Sequence, residues 1–318
     1  MSPLSIQKLD INLWDIKNKN QLYSSENYFN LFVRNKIKLK FKKNKCPCGN
    51  SKKSILVKKY FNLNYYQCIC KTIYLNPTIS ENSLDEIYKN RGIYEKHRKQ
   101  ILYEKKAKLL RKLINKRKAS QIFTLLKRKN SKILDFGCGD GEFLYHLNKK
   151  INKEYLYGFD VNTSLKKNKN KNKIKIISDT SKLINHKFEV VTLWGVLEHI
   201  IDPKKIIEIL SKIIKKNGFL VLEIPSSESL LSKYTFQSNY IPIRWLEPYR
   251  HLFFFSLKCI KKIFNKKFKI KYVETNGLDL QTIFNKEKNN NEFSIINSQQ
   301  KLNDNLLGDH YRIFLKRL

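Results

Sequence analysis

No run of about eighteen apolar residues occurs anywhere in the 318, so no transmembrane helix is expected. The opening residues, Met1-Ser2-Pro3-Leu4, lack a charged region followed by an apolar stretch, so no secretory leader is expected. Acid is scarce: 27 Asp and Glu stand against 64 Lys and Arg, a formal net charge of +37. Arginine is scarce too, supplying ten of those 64. A charge of this size invites a nucleic-acid partner. Nucleic-acid surfaces, however, use clustered Arg for bidentate contacts. Here Lys is spread along the whole chain with abundant Asn and Ile, as an AT-rich coding sequence would impose, and RNA binding is the less favoured reading. Cysteines number six: Cys46/Cys48, Cys68/Cys70, and the lone Cys138 and Cys259. A cytoplasmic location is expected, where thiols stay reduced and close pairs suggest metal more than disulfide. Hydrophobic residues make up 41%, enough for a real core, and the length suits two domains of about 100–200 residues each.

Glycine is also scarce, yet three of the ten fall at alternate positions in Leu134-Asp135-Phe136-Gly137-Cys138-Gly139-Asp140-Gly141. An apolar run ends in an acid, the glycines follow, and an amphipathic run begins at Glu142. This reads as strand, tight turn, helix. Bare backbone lets a ligand lie against the turn, and the helix aims its unpaired N–H groups at it. A dinucleotide site would read G-x-G-x-x-G and meet a pyrophosphate. Here the spacing is G-x-G-x-G, with Asp135 before it and Asp140 within it. Two carboxylates would repel a pyrophosphate. They suit a ligand with a cationic end, such as the amino group and sulfonium of S-adenosylmethionine (SAM).

From residue 131 to 280 strand and helix patterns alternate, as a doubly wound parallel sheet requires. Tyr155–Val161 reads as the second strand and ends at Asp160, placed to accept both ribose hydroxyls of an adenosyl group. Ile174–Asp179 is the third, with Asp179 beside the adenine. Phe188–Trp194 is the fourth, and Glu198-His199 follows at its carboxyl end, where open α/β sheets bind ligands. This pair either serves the site, with proton transfer as one role, or satisfies and packs under a turn. Asp202-Pro203 starts a helix that runs to Lys215-Lys216-Asn217, with Gly218 just past its end. Phe219–Pro225 is the fifth strand. Segment 226–250, with Tyr234, Phe236, Tyr240, Trp245 and Tyr249, reads as a lid, a helical insertion, or both. His251 is a second candidate for substrate contact or proton transfer, or a buried structural imidazole. Phe268–Glu274 and Tyr311–Lys316 are strands six and seven, and 281–308 reads as an exposed loop.

Before the sheet, residues 94–129 carry a helical pattern that Ser120 divides in two. Ser83-Leu84-Asp85-Glu86 reads as a capping box. Tyr88 or Tyr94 either reaches the site or anchors a helix. Cys46-Pro47-Cys48-Gly49 and Cys68-Ile69-Cys70 form a small knuckle pair. Four thiolates suit tetrahedral Zn²⁺, but each pair is one residue shorter than C-x₂-C. Two readings stand: a structural zinc, or cysteines packed as small apolar residues.

Together these residues resemble the class I SAM-dependent methyltransferases that carry an N-terminal cysteine-knuckle, zinc-ribbon-like module. The likeness rests on the glycine turn, Gly158-Phe159-Asp160, Val196-Leu197-Glu198-His199-Ile200, Lys216-Asn217-Gly218 and His251-Leu252-Phe253-Phe254-Phe255-Ser256. It implies a Rossmann-like α/β fold with a seven-stranded doubly wound sheet. The organisation implied is an N-terminal segment over 1–80, a helical linker over 81–130 and the methyltransferase domain over 131–318. SAM is implied as co-substrate, cradled by Asp135, Gly137, Cys138, Gly139, Asp140, Asp160, Val161, Asp179 and Trp194. His199, Glu198 and His251 are the candidate catalytic groups; Cys46, Cys48, Cys68 and Cys70 are the candidate zinc ligands. By analogy the acceptor is a small molecule or a sugar or cell-surface glycan precursor, methylated on oxygen. An RNA or protein methyltransferase and a catalytically silent SAM-binding protein are the alternatives.

Overall fold

The computed structural model describes residues 39–50, 53–60, 63–84, 105–161, 174–177, 179–237, 246, 250–277, 280, 283 and 292–318. Tyr88, Tyr94, Tyr240, Trp245 and Tyr249 lie outside the described residues. The N-terminal part supplies β1 (Phe41–Lys42), β2 (Ile55–Tyr60), β3 (Leu63–Gln67), β4 (Ile73–Leu75) and β5 (Thr78–Ile79). Then come α1 (Lys105–Leu126), β6 (Ile133–Phe136), α2 (Glu142–Leu147), β7 (Leu156–Phe159), β8 (Lys175–Ile177), α3 (Thr180–Leu183) and β9 (Phe188–Trp194). The chain continues through α4 (Pro203–Ile213), β10 (Ile214–Pro225), α5 (Leu230–Gln237), β11 (Phe253–Phe254) and α6 (Leu257–Phe264). It ends in β12 (Phe268–Asn276), α7 (Glu292–Asp304) and β13 (His310–Arg317).

Seven strands form the central sheet in the order β12-β13-β10-β9-β6-β7-β8. The middle pairs are parallel, and β13 is wedged antiparallel between β10 and β12. Strands β6 and β9 read as near-continuous apolar runs because both faces are covered: Ile133, Leu134, Val190, Val191 and Leu193 are all fully buried. Chain order reverses between β6 and β9, which opens a crevice at their carboxyl ends.

Four local expectations are corrected. Helix α1 runs unbroken through Ser120, because Ala119 and Ile122 are buried on either side of it and packing overrides a weak propensity. After α4 the left-handed residue is Asn217 (φ 65°), not Gly218. Asn tolerates that backbone, whereas Gly218 is needed for closeness: a Cβ there would lie 2.8 Å from the Glu189 carbonyl oxygen. Within 281–308, Glu292–Asp304 is helix rather than loop. The Asn303 carbonyl accepts from Thr275 Oγ1 of β12 at 2.8 Å, and the Gln299 side chain accepts from Leu280 N at 3.0 Å. Finally, Ser80 rather than Ser83 caps the helix near 81: Ser83 N donates to Ser80 Oγ at 3.4 Å, and Ser83 is buried, its Oγ accepting from Lys40 N.

A second sheet has the order β11-β4-β3-β2. Strand β11 pairs Phe253 with Tyr74 and Phe254 with Ile73. The cysteine-bearing part is thereby joined edge-to-edge to residues 253–254.

Candidate active site

The glycine turn closes over the end of β7. Gly137 N and Cys138 N both donate to the Phe159 carbonyl, at 2.7 and 2.9 Å. Gly139 N donates to Asp160 Oδ2 at 2.7 Å, so that carboxylate grips the turn itself. Gly137, Gly139 and Gly141 all have positive φ. At Gly137 bare backbone is also a matter of room: a Cβ would come within 2.5 Å of Val196 Cγ2, across the crevice from β9. Asp135 is buried and accepts from Thr192 Oγ1 at 2.8 Å. Asp140 accepts from Arg111 of α1 at 3.3 Å, and Arg111 also pairs with Glu142 at 2.8 Å. Burial lifts the Glu142 carboxyl above its usual range even though Arg111 pulls the other way.

Other expected cradle residues are spread out. The Cys138 side chain turns into the core, where its sulfur would sit 2.7 Å from a Cβ on Gly158. Val161 is exposed. Asp179 caps α3, accepting from Ser181 N at 2.9 Å, and the Ser181 hydroxyl together with that N–H holds its carboxyl below the usual range. Trp194 ends β9 with its ring edge-on to Phe143, and its buried indole N–H has no partner among the described residues.

Past Trp194, Gly195 turns (φ 67°) into a short 3₁₀ segment, Leu197–His199. Glu198 is buried, with a carboxylate oxygen 4.0 Å from His199 Nε2. His199 Nδ1 lies 2.7 Å from the Arg250 carbonyl. That contact favours a proton on Nδ1 and leaves Nε2 to act as acceptor. The His199 and His251 rings stand 5.1 Å apart. Donor atoms of Glu198, His199 and His251 all lie within 4.8 Å of one another. Three residues from two distant stretches thus converge at the carboxyl end of β9.

Sequence reasoning missed a buried charge network behind this rim. Lys118 of α1 lies 4.5 Å over the Trp194 ring and bonds Glu223 at 2.6 Å. Arg312 of β13 bonds Glu223 at 3.1 Å and Glu274 at 3.1 Å. Burial would raise the Glu223 carboxyl, but Lys118 and Arg312 together hold it far below the carboxylate range. Burial lowers the Lys118 ammonium in spite of that partner. No local spacing could have announced a network assembled from four elements.

The four cysteines converge although each pair is short. Cys46 Sγ lies 3.5 Å from Cys70 Sγ, and Cys48 Sγ lies 3.5 Å from Cys68 Sγ. All four sulfurs are within 4.8 Å of one another. A tetrahedral zinc with Zn–S of about 2.3 Å needs sulfurs about 3.8 Å apart, so the set fits. Left-handed Gly49 and Lys71 close the two turns, donating to the Cys46 and Cys68 carbonyls at 3.0 and 2.7 Å. A fifth thiol, Cys259 of α6, is fully buried in the same core cluster as Cys46 and Cys70.

The sheet order, the antiparallel seventh strand and an acid-flanked glycine turn at the crevice define a class I methyltransferase fold. A profile described as a methyltransferase domain matches residues 94–268, more than half the chain, and the chain belongs to that family. It is a SAM-dependent methyltransferase. None of the curated proteins matches the sequence. Among solved structures, the plantazolicin methyltransferase BamL, in complex with a triazolic desmethylPZN analog and SAH, is 12% identical over 73% of this chain and 94% of its own, with TM-score 0.50. A SAM-dependent methyltransferase from Archaeoglobus fulgidus is 21% identical over 70% and 99%, with TM-score 0.49. Magnesium protoporphyrin IX methyltransferase from Synechocystis PCC 6803 with bound SAM is 12% identical over 74% and 97%, with TM-score 0.48. The first of these is a likeness of fold. No helix among the described residues is long and apolar enough to cross a membrane.

Proposed function

We propose that this methyltransferase acts on a hydroxyl of a small-molecule acceptor, a sugar or cell-surface glycan precursor being favoured. The observation that carries the reading is the convergence of Glu198, His199 and His251 at the crevice. A neutral hydroxyl is a weak nucleophile and must lose its proton as the methyl arrives, and an imidazole nitrogen able to accept it suits that step. The preference for sugars and glycan precursors comes from the resemblance of the motif set to enzymes of such pathways.

SAM supplies a methyl already activated on a sulfonium. The chain's own work is to hold donor and acceptor in line. Asp160 fits a role on the ribose hydroxyls, since it already fixes the turn from the same spot. Asp135, buried beside that turn, fits the cationic end of the donor. His199 is the first candidate to take the acceptor's proton, with Glu198 steadying the imidazolium that results and His251 facing it. Cys46, Cys48, Cys68 and Cys70 are assigned a structural zinc, which supplies folding energy to a part too small to build a large core.

The test is a labelled-methyl assay over nucleotide sugars, glycolipids and tRNA. Transfer to a sugar hydroxyl supports the reading, and transfer to tRNA alone sinks it. His199→Ala and His251→Ala with wild-type turnover would remove the proton-transfer role.

A further inference from the structure

We propose that the cysteine centre is the anchor that sets His251 opposite His199, with Cys259, Ser256 and Thr72 as the positioning residues between them. The proposal rests on the zinc and acceptor-side assignments above, and goes beyond them by coupling the two.

An unbroken set of buried contacts joins these places. Residues 251–256 are held from both sides. On one side, Ser256 Oγ donates to the Cys70 carbonyl, and Ser256 N donates to Thr72 Oγ1 at 3.1 Å. Thr72 in turn gives its own carbonyl to Cys68 N at 2.9 Å. Cys259, one turn into α6, lies in the same buried cluster as Cys46 and Cys70, near enough to interact with both, while its N–H donates to Ser256 Oγ at 3.2 Å. Thr72, Ser256 and Cys259 are fully buried, so none of these bonds competes with water. The strand between them pairs with β4, and Leu75 N donates to the Leu252 carbonyl at 3.0 Å.

On the other side, this segment and the preceding Arg250 touch the active site. Leu252 N donates to the Glu198 carbonyl at 2.9 Å. Arg250 presents its carbonyl to His199 Nδ1 at 2.7 Å. The His251 ring stands edge-on to Phe254 at 5.6 Å, and Phe254 packs against Tyr65 of β3 at 6.4 Å. His251 is therefore placed by residues whose other contacts lead to Cys68 and Cys70. The glycine turn has a separate framework in β6, β7 and Asp160. Loss of the anchor should disturb the acceptor side and spare the donor side.

The experiment uses the full chain labelled with ¹⁵N-histidine, which has six imidazoles. The His199 and His251 resonances are assigned by His199→Ala and His251→Ala, and His146 and His186 serve as internal controls. Spectra are recorded zinc-loaded and after chelation, for the wild type, Cys259→Ala and Cys259→Ser, with SAH affinity measured on each by calorimetry. Expected: chelation and Cys259→Ala each shift or broaden both His199 and His251, the controls stay still, and SAH affinity changes less than about threefold. Cys259→Ser, which keeps a donor of similar reach, should retain the loaded wild-type signals. Unmoved His199 and His251 signals in both the chelated protein and Cys259→Ala would overturn the proposal. So would a shift shared by all imidazoles with loss of SAH binding, which reports general unfolding. Zinc content is read independently by elemental analysis. A chain that takes up no zinc removes the metal assignment, and Cys259→Ala alone then decides the anchor.

Discussion

Gly137→Ala should weaken donor binding for two separable reasons. The residue sits at φ 81°, a backbone that costs an alanine about 1–2 kcal/mol. Its new methyl would also meet Val196 Cγ2 at 2.5 Å, and overpacking of this kind costs roughly 1–3 kcal/mol. Val196 is β-branched, so it has few rotamers in which to give way. The turn would relax away from β9, losing the surface assigned to the donor. At about 1.4 kcal/mol per tenfold, the sum of about 2–5 kcal/mol predicts SAH binding weaker by roughly 30- to 4,000-fold. Val196→Ala in the same chain removes the clash and leaves the backbone strain. The double variant should recover about tenfold over Gly137→Ala and stay about tenfold short of wild type. Calorimetric titration of SAH into the four proteins of the cycle gives the coupling directly. Wild-type affinity in Gly137→Ala would refute the reasoning, because the bare backbone would then serve no steric purpose. An additive cycle would place the loss in backbone strain alone.

Asp160→Ala removes both the grip on Gly139 N and the expected ribose contact; SAH affinity should fall about 10²-fold by calorimetry, as loss of a charged hydrogen bond at about 1.5–3 kcal/mol implies. Asp135→Ala should abolish measurable SAH binding, and undiminished affinity in both variants would remove the assigned cradle. His199→Ala should lower turnover about 10²–10⁴-fold with SAH affinity held within about threefold. Glu223→Gln should cost about 3 kcal/mol at pH 7 in urea unfolding, by leaving Lys118 and Arg312 short of their shared anion. Because the folded carboxyl lies below its unfolded value of about 4.3, its contribution is complete above that pH and fades as pH falls toward the folded value. The variant's deficit should therefore narrow below about pH 4, and a deficit that widens in acid would contradict the network. Chelation should lower the melting temperature by at least about 5 °C if zinc is bound.

Much of the site was legible because its requirements are local. Alternate glycines between an acid-ending strand and a helix need only a dozen neighbouring residues to be recognised, and the turn formed where that pattern placed it. Asp202 and Ser256 cap α4 and α6 as their sequences suggest, accepting from Lys205 N and Cys259 N. Where reading failed, a longer-range force had outbid a local one. Ser120 looked like a break until the sheet covered its neighbours. Gly218 looked like the left-handed residue until the Glu189 carbonyl crowded it and Asn217 took the turn. The Cys-x-Cys spacing left zinc and apolar packing equally open, and only the fold shows that each pair draws its nearest sulfur from the other pair.

The sequence by itself determined the alternation of strand and helix, the glycine turn and its acids, because apolar period and backbone handedness act within one element. Only the tertiary structure decided that Cys259 would join Cys46 and Cys70, that Phe253-Phe254 would extend the sheet of the cysteine-bearing part, and that Lys118, Glu223 and Arg312 would share one buried site. Those contacts link residues more than two hundred positions apart. Nothing in the neighbourhood of either partner records them, since their energy exists only once the sheet has brought both ends together.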